Sequence, residues 1–192
     1  NIVTFHKVDS AMIKVYVELQ NKGLKPILLK GQGIARYYSN PELRQCGDVD
    51  IYIGKEGYIK AYNILKDIAT KIDSEDKLIY GKHFHMYLSK IQFDIHSYSG
   101  IYSLPFYNKR YQEESDKGIF FNNVKVTIDN HSISTPSIEF NAYYLFNHMY
   151  NHFLTSGIGW RHICDLMMYL HKMYMTINHV ELNRILKRMD VL

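Results

Sequence analysis

Asp48 and Asp50 stand two residues apart in the stretch Gly47-Asp48-Val49-Asp50-Ile51-Tyr52-Ile53. Val49, Ile51 and Ile53 alternate with Asp48, Asp50 and Tyr52, the period of a half-buried strand. Both carboxylates therefore share one strand face, ~6.5–7 Å apart along the backbone at a rise of ~3.3 Å per residue. Aspartate is a poor strand former. At ~5 Å and an effective dielectric near ~20, the raw repulsion between two carboxylates is about 3 kcal/mol. A divalent cation turns this liability into a binding site, and hard oxygen ligands suit magnesium. A third acid, Asp94, lies in Ile91–His96. There Ile91, Phe93 and Ile95 face one way, and Gln92, Asp94 and His96 the other. Three carboxylates on one sheet face can hold one or two metal ions, and two ions ~3.5–4 Å apart clamp both oxygens of an in-line phosphoryl displacement. The third acid is also placed to act as general base for an incoming hydroxyl.

Other groups suit phosphate. Lys30-Gly31-Gln32-Gly33 follows the apolar run Ile27-Leu28-Leu29. Glycines at a strand-to-helix turn let backbone N–H groups approach an anion, and the lysine adds charge. A plain turn with a surface lysine is the rival reading. Farther on, Asn141, Tyr144, His148 and His152 make a polar stripe on one helix face. Ile138, Ala142, Leu145, Met149 and Phe153 form the opposite, core-facing stripe. Arg161 and Asp165 are four apart and are expected to pair, worth ~0.3–0.5 kcal/mol on an exposed helix. Packing needs only one apolar face, so His148, His152 and Arg161 are candidates for the far wall of a cleft. Asp165 would orient Arg161. His83 and His85 share a strand face and are expected at the surface.

The elements that must position these groups follow from periodicity. A helix is expected over 9–22, capped by Asp9 or Ser10 and stopped at Gly23. A strand at 27–29 leads through the Lys30 turn into a short helix, and Asn40-Pro41 breaks it. A second long helix is expected over 55–72, with Ile59 on its apolar face. Phe84–Leu88 and Ile91–Ile95 read as a hairpin turning at Ser89-Lys90. Residues 97–118 read as irregular. Phe120 to Ile128 suggests a second hairpin with an Asn122-Asn123 turn. Thr135 and Pro136 are expected to start a helix running to about Phe153. A Gly157/Gly159 turn starts another through about Met173, and Asn178 with Glu181 a third. The fold class is therefore α+β: a mixed sheet flanked by helices over 1–133, followed by a small helical subdomain over 134–192.

Bulk composition excludes several classes. The chain has 192 residues, 46% hydrophobic and 22% charged, as in an ordinary globular protein. A formal charge of +4 with scattered lysines is weak support for nucleic-acid binding. No apolar run approaches the ~18 residues of a membrane span. Two cysteines, Cys46 and Cys164, with no CxxC, fit a reducing cytoplasm.

The order of strand, glycine turn, short helix, Gly-Asp-x-Asp strand and later single-Asp strand resembles the polymerase-beta-like nucleotidyltransferase superfamily. The finer match lies in Leu28-Leu29-Lys30-Gly31, Tyr37-Tyr38, Pro41-Glu42-Leu43-Arg44, Gly47-Asp48-Val49-Asp50-Ile51 and Phe93-Asp94-Ile95-His96. His148, His152, Gly159-Trp160-Arg161 and Asp165 extend it into the helical half. This is similar to a family of uncharacterised bacterial nucleotidyltransferases related to the lincosamide-type antibiotic-modifying enzymes. The resemblance implies that Asp48, Asp50 and Asp94 hold magnesium (or manganese). It also implies that Lys30, Gly31, Gln32 and Arg44 lie near the triphosphate. The expected reaction transfers NMP from an NTP to a hydroxyl and releases pyrophosphate, with a small-molecule acceptor favoured over protein or RNA. His96, His148, His152, Arg161 and Asp165 are the expected substrate or phosphate cleft. Two rivals are a non-catalytic nucleotide-binding module and a metal-dependent phosphohydrolase.

Overall fold

The acidic strand is the second of a five-stranded sheet in a computed structural model that describes residues 2–192, apart from the side chain of Tyr80. The strands are β1 (Ile27–Leu28), β2 (Val49–Tyr52), β3 (Lys71–Ile72), β4 (His83–Leu88) and β5 (Ile91–His96), in spatial order β1-β2-β5-β4-β3. β2 and β5 are parallel; the other neighbours are antiparallel. The β4–β5 hairpin turns at Ser89-Lys90, both with positive φ, the twist that a two-residue hairpin needs. A separate hairpin, β6 (Val124–Ile128) with β7 (His131–Thr135), turns at Asp129-Asn130, again both with positive φ. The expected Asn122-Asn123 turn therefore lies one strand too early.

Both faces of the sheet are covered. α1 (Ile2–Asn21) and α3 (Gly54–Leu65), with the one-turn α2 (Gln32–Ala35) between them in the chain, pack on the face made by Leu28, Val49, Ile51, Phe84, Met86, Phe93 and Ile95. Ile27, Leu29 and Tyr52 face the other way, into a cluster with Tyr111, Ile119, Phe140, Tyr143, Tyr144, Ile185 and Met189. Those residues come from α5 (Pro105–Asp116), the π-helical turn that extends it, α6 (Ile138–Thr155) and the end of α8 (His179–Arg188). So β2 is buried on both faces, not half-buried. Its one aspartate, Asp50, is buried.

Several boundaries differ from expectation for local reasons. α1 begins at Ile2, and Asp9, expected as a cap, is fully buried within it. α3 ends at Leu65; residues 71–72 form the edge strand β3, and Ile59 is exposed. Residues 76–80 form α4. α5 occupies the segment read as irregular, because its inward contacts are Tyr111, Glu114 and Ser115 and not an apolar stripe. Glu114 is held by Arg184 and Arg188 of α8. Ser137, not Thr135, caps α6 by accepting the Phe140 N–H. α7 (Trp160–Met173) and α8 fall where expected. The Asn178 side chain caps α8, while its own N–H donates to Glu139 and not to Glu181. Among the described residues no helix is long and apolar enough to cross a membrane.

Candidate active site

The sheet brings two of the three acids together by register. Asp50 of β2 is the direct cross-strand partner of Asp94 of β5, and Asp94 in turn pairs with His85 of β4. Three titratable side chains, Asp50, Asp94 and His85, therefore stand abreast on three adjacent strands. Ligand atoms of Asp50, Asp94 and His96 lie within 4.8 Å of one another. Asp48 comes one residue before β2 on the same face and is exposed, whereas Asp50 and Asp94 are buried.

Each buried acid has named partners. Asp50 Oδ2 lies 3.1 Å from Lys30 Nζ, and Asp50 Oδ1 lies 2.9 Å from His96 Nε2. Burial alone would raise the Asp50 carboxyl, but the Lys30 ammonium and the His96 hydrogen bond outweigh it and hold it well below the usual range. Lys30 reaches Asp50 because Leu29 N–H donates to Asp50 O, extending the β1–β2 ladder to the turn. Gly31 turns there at φ +59°, and a Cβ on it would come 3.5 Å from Asp48 O. A side chain at that φ is strained. Asp94 Oδ1 accepts from Gln92 Nε2 at 3.0 Å and lies 2.7 Å from His85 Nδ1. The His83 ring meets His85 edge-on and lies tilted against His96. Burial and then the neighbouring His96 push the His83 ring down to about 4.

Opposite the acids, α6 and α7 supply a wall of nitrogen. A cleft of about 170 Å³ is lined by Lys30, Gly31, Arg44, Gly47, Asp48, Asp50, Leu145, His148, His152, Arg161, His162 and Asp165. His148 Nε2 lies 3.4 Å from Lys30 Nζ. Burial first, and then the Lys30 ammonium, push the His148 ring down to about 2. His152 and His162 are also lowered by burial, with smaller contributions from nearby cations. The Arg161 guanidinium lies against Gly47, where an added Cβ would come 2.5 Å from Nη1. This site can gather an anion beside a carboxylate pair, the electrostatic layout of phosphoryl transfer.

The match to known proteins covers nearly the whole chain. Residues 5–192 match the model of a family described as uncharacterised nucleotidyltransferase. The chain belongs to that family. No curated protein matches it. Among solved structures, that of ANT(2'')-Ia in complex with adenylyl-2''-tobramycin superposes with a TM-score of 0.62 at 12% identity, covering 96% of this chain and 97% of that one. The solution structure of the antibiotic-resistance factor ANT(2'')-Ia gives 0.62 at 11% identity, covering 94% and 89%. An antigenic nucleotidyltransferase-like protein from Paracoccidioides brasiliensis gives 0.56 at 13% identity, covering 93% and 85%. At these identities the likeness is one of fold.

Several residues singled out from the sequence sit differently in this nucleotidyltransferase. Arg44 is buried and forks onto Asp165, Nε to Oδ1 at 2.7 Å and Nη2 to Oδ2 at 2.6 Å. Tyr38 OH donates to the same Oδ1 at 2.7 Å. Asp165 thus orients Arg44, not Arg161, and both Arg44 and Asp165 are engaged by each other. The Gln32 side chain is buried and donates to Asp9 Oδ1 at 2.6 Å, away from the cleft, while Arg36 reaches Asp9 Oδ2. Asn141 and Tyr144 are buried, so only the His148–His152 end of the polar stripe faces the cleft. Phe153, expected in the core, is exposed and Met149 half-buried. His83 and His85 are half-buried, with the His85 side chain still 39% exposed, and they lie beside Asp94 and His96. His162 had no signal of its own, being one residue past Arg161 on α7. The nearest available signal for His85 was its place opposite Asp94 in the hairpin, readable from the Ser89-Lys90 turn.

Proposed function

We propose that this nucleotidyltransferase is magnesium-dependent and moves a nucleoside monophosphate from an NTP to a hydroxyl of a small acceptor, releasing pyrophosphate. The observation that carries the reading is the β2–β5 register, which seats Asp50 beside Asp94 on the face that also bears Asp48. The donor set fits magnesium or manganese. It offers hard carboxylate oxygens, and no ion pair engages Asp48 among the described residues. An ammonium already neutralises Asp50 Oδ2. Asp48 and Asp50 would hold the ion, which when bound supplies positive charge to the phosphoryl oxygens; Asp94 either joins them or takes the acceptor proton.

The side chains do the rest. Lys30 and Arg161 flank the cleft and put positive charge where pyrophosphate leaves. The acceptor oxygen attacks the α-phosphorus, the bond to the bridging oxygen breaks, and the hydroxyl proton goes to Asp94. His85 and Gln92 both hold Asp94 Oδ1, which leaves Oδ2 for that proton. Arg44–Asp165 acts one step back, tying the turn before β2 to the helix that carries Arg161. The small acceptor is supported by the fold neighbour ANT(2'')-Ia, whose structure contains adenylyl-2''-tobramycin. The test is pyrophosphate release from NTP with Mg²⁺ in Asp50→Asn and Asp94→Asn. Each variant should fall by at least about 100-fold, or ~2.7 kcal/mol, while circular dichroism shows a folded chain. Undiminished release in both variants overturns the assignment.

A further inference from the structure

His148, His152 and His162 converge from two helices onto one point of the cleft wall. Ring centroids lie 4.5 Å apart for His148–His152, 4.5 Å for His152–His162 and 5.4 Å for His148–His162. A ligand nitrogen from each lies within 4.8 Å of the other two. We propose that these three imidazoles form a second cation site, for a borderline divalent transition metal such as Zn²⁺ or Co²⁺, separate from the carboxylate site.

Three observations carry this. First, donor chemistry: imidazole nitrogen suits zinc, cobalt and nickel, whereas magnesium takes oxygen. An ion ~2.1 Å from each nitrogen needs N···N spacings near ~3.4 Å, so side-chain rotation of about an ångström closes the site. Second, anchoring: His152 Nδ1 lies 2.9 Å from Ser156 Oγ. A ligating histidine that spends its other nitrogen on such a partner is fixed in orientation. Third, placement: all three rings are half-buried on the cleft wall, and among the described residues no carboxylate pairs with any of them. Two contacts must be exchanged. Lys30 gives up His148 Nε2 and keeps Asp50, and His162 gives up the long 3.3 Å bond from Gly159 N–H. Lys30 and Arg161 oppose a dication in this cleft, while Asp48 and Asp50 favour it. Three protein ligands leave one tetrahedral position open toward the cleft, where an oxygen of phosphate or acceptor can coordinate.

The experiment uses the untagged full chain, stripped with chelator and titrated with Co²⁺, read by its visible ligand-field bands and by Zn²⁺ displacement. With Mg²⁺ in large excess to fill the carboxylate site, the wild type should bind one equivalent of Co²⁺, and the Gly159 amide resonance should shift with it. His162→Ala and His152→Gln should each weaken binding by at least about tenfold. His179→Ala, an exposed histidine of α8 outside the cleft, should leave Co²⁺ affinity unchanged. No ligand-field spectrum at about 1 mM Co²⁺, unchanged affinity in both cleft-histidine variants, or equal loss in His179→Ala overturns the site. None of these outcomes depends on turnover, so the result is separable from the nucleotidyltransfer reading.

Discussion

Truncating Arg44 or Asp165 should be the most destabilising single change near the cleft. Both side chains are more than nine-tenths buried, and they share two short charge-assisted hydrogen bonds. Arg44→Ala leaves Asp165 with Tyr38 alone, and Asp165→Ala leaves a buried guanidinium with only its 3.3 Å bond to Gln45 O and a phenol without its acceptor. Removing one member of such a pair costs about 3–5 kcal/mol. For a chain of this length each kcal/mol moves Tm by ~2–4 °C, so each variant should melt about 6–20 °C lower. Replacing both, as Arg44→Met with Asp165→Leu, should lose less than the sum of the singles by at least ~2 kcal/mol. The control is Arg161→Ala, which should cost under ~1 kcal/mol and show little coupling to Asp165. The assay is urea unfolding of all variants in a double-mutant cycle. A cost below ~1 kcal/mol for Arg44→Ala, or coupling of Asp165 to Arg161 in place of Arg44, refutes the buried-clamp argument.

Gly47→Ala should leave stability within ~0.5 kcal/mol, because the clash is with the mobile end of Arg161. Its kcat/KM should fall about tenfold, as in Arg161→Ala; steady-state kinetics decide. Asp50→Asn should lose stability in metal-free buffer by about 1–3 kcal/mol. Repulsion between the two acids would have made it neutral or stabilising, but Lys30 and His96 already compensate Asp50; equal or higher stability contradicts that balance. Gly31→Ala should impair both folding and turnover through strain at φ +59°, costing about 1–2 kcal/mol by urea unfolding. An unaffected variant would show that the Lys30 turn is not fixed.

What the sequence disclosed follows from how local each signal is. The β2 strand, the β4–β5 hairpin and α6–α8 declare themselves through apolar periods and caps within a few residues. Asp48, Asp50 and Asp94 stood out because acids are unusual in strands. The parallel pairing of β2 with β5 was not local, and it alone sets Asp50 beside Asp94 and brings His96 onto Asp50. Arg44 and Asp165 are 121 positions apart, so the neighbouring Arg161 looked like the natural partner. α5 hid because its inward face is Tyr111 and a Glu114 neutralised by α8. Asp129-Asn130 turns without glycine, and the adjacent Asn122-Asn123 offered an equally plausible dipeptide.

The central claim is that the cleft transfers a nucleotide and does not hydrolyse phosphate. Its most direct test is the fate of label from NTP carrying separate α and γ tags, incubated with Mg²⁺ and tobramycin or a panel of polyhydroxylated small molecules. The α label should appear on the acceptor and the γ label in pyrophosphate, both abolished by EDTA. Recovery of the γ label as inorganic phosphate, or bound NTP that never turns over with any acceptor, would contradict the account.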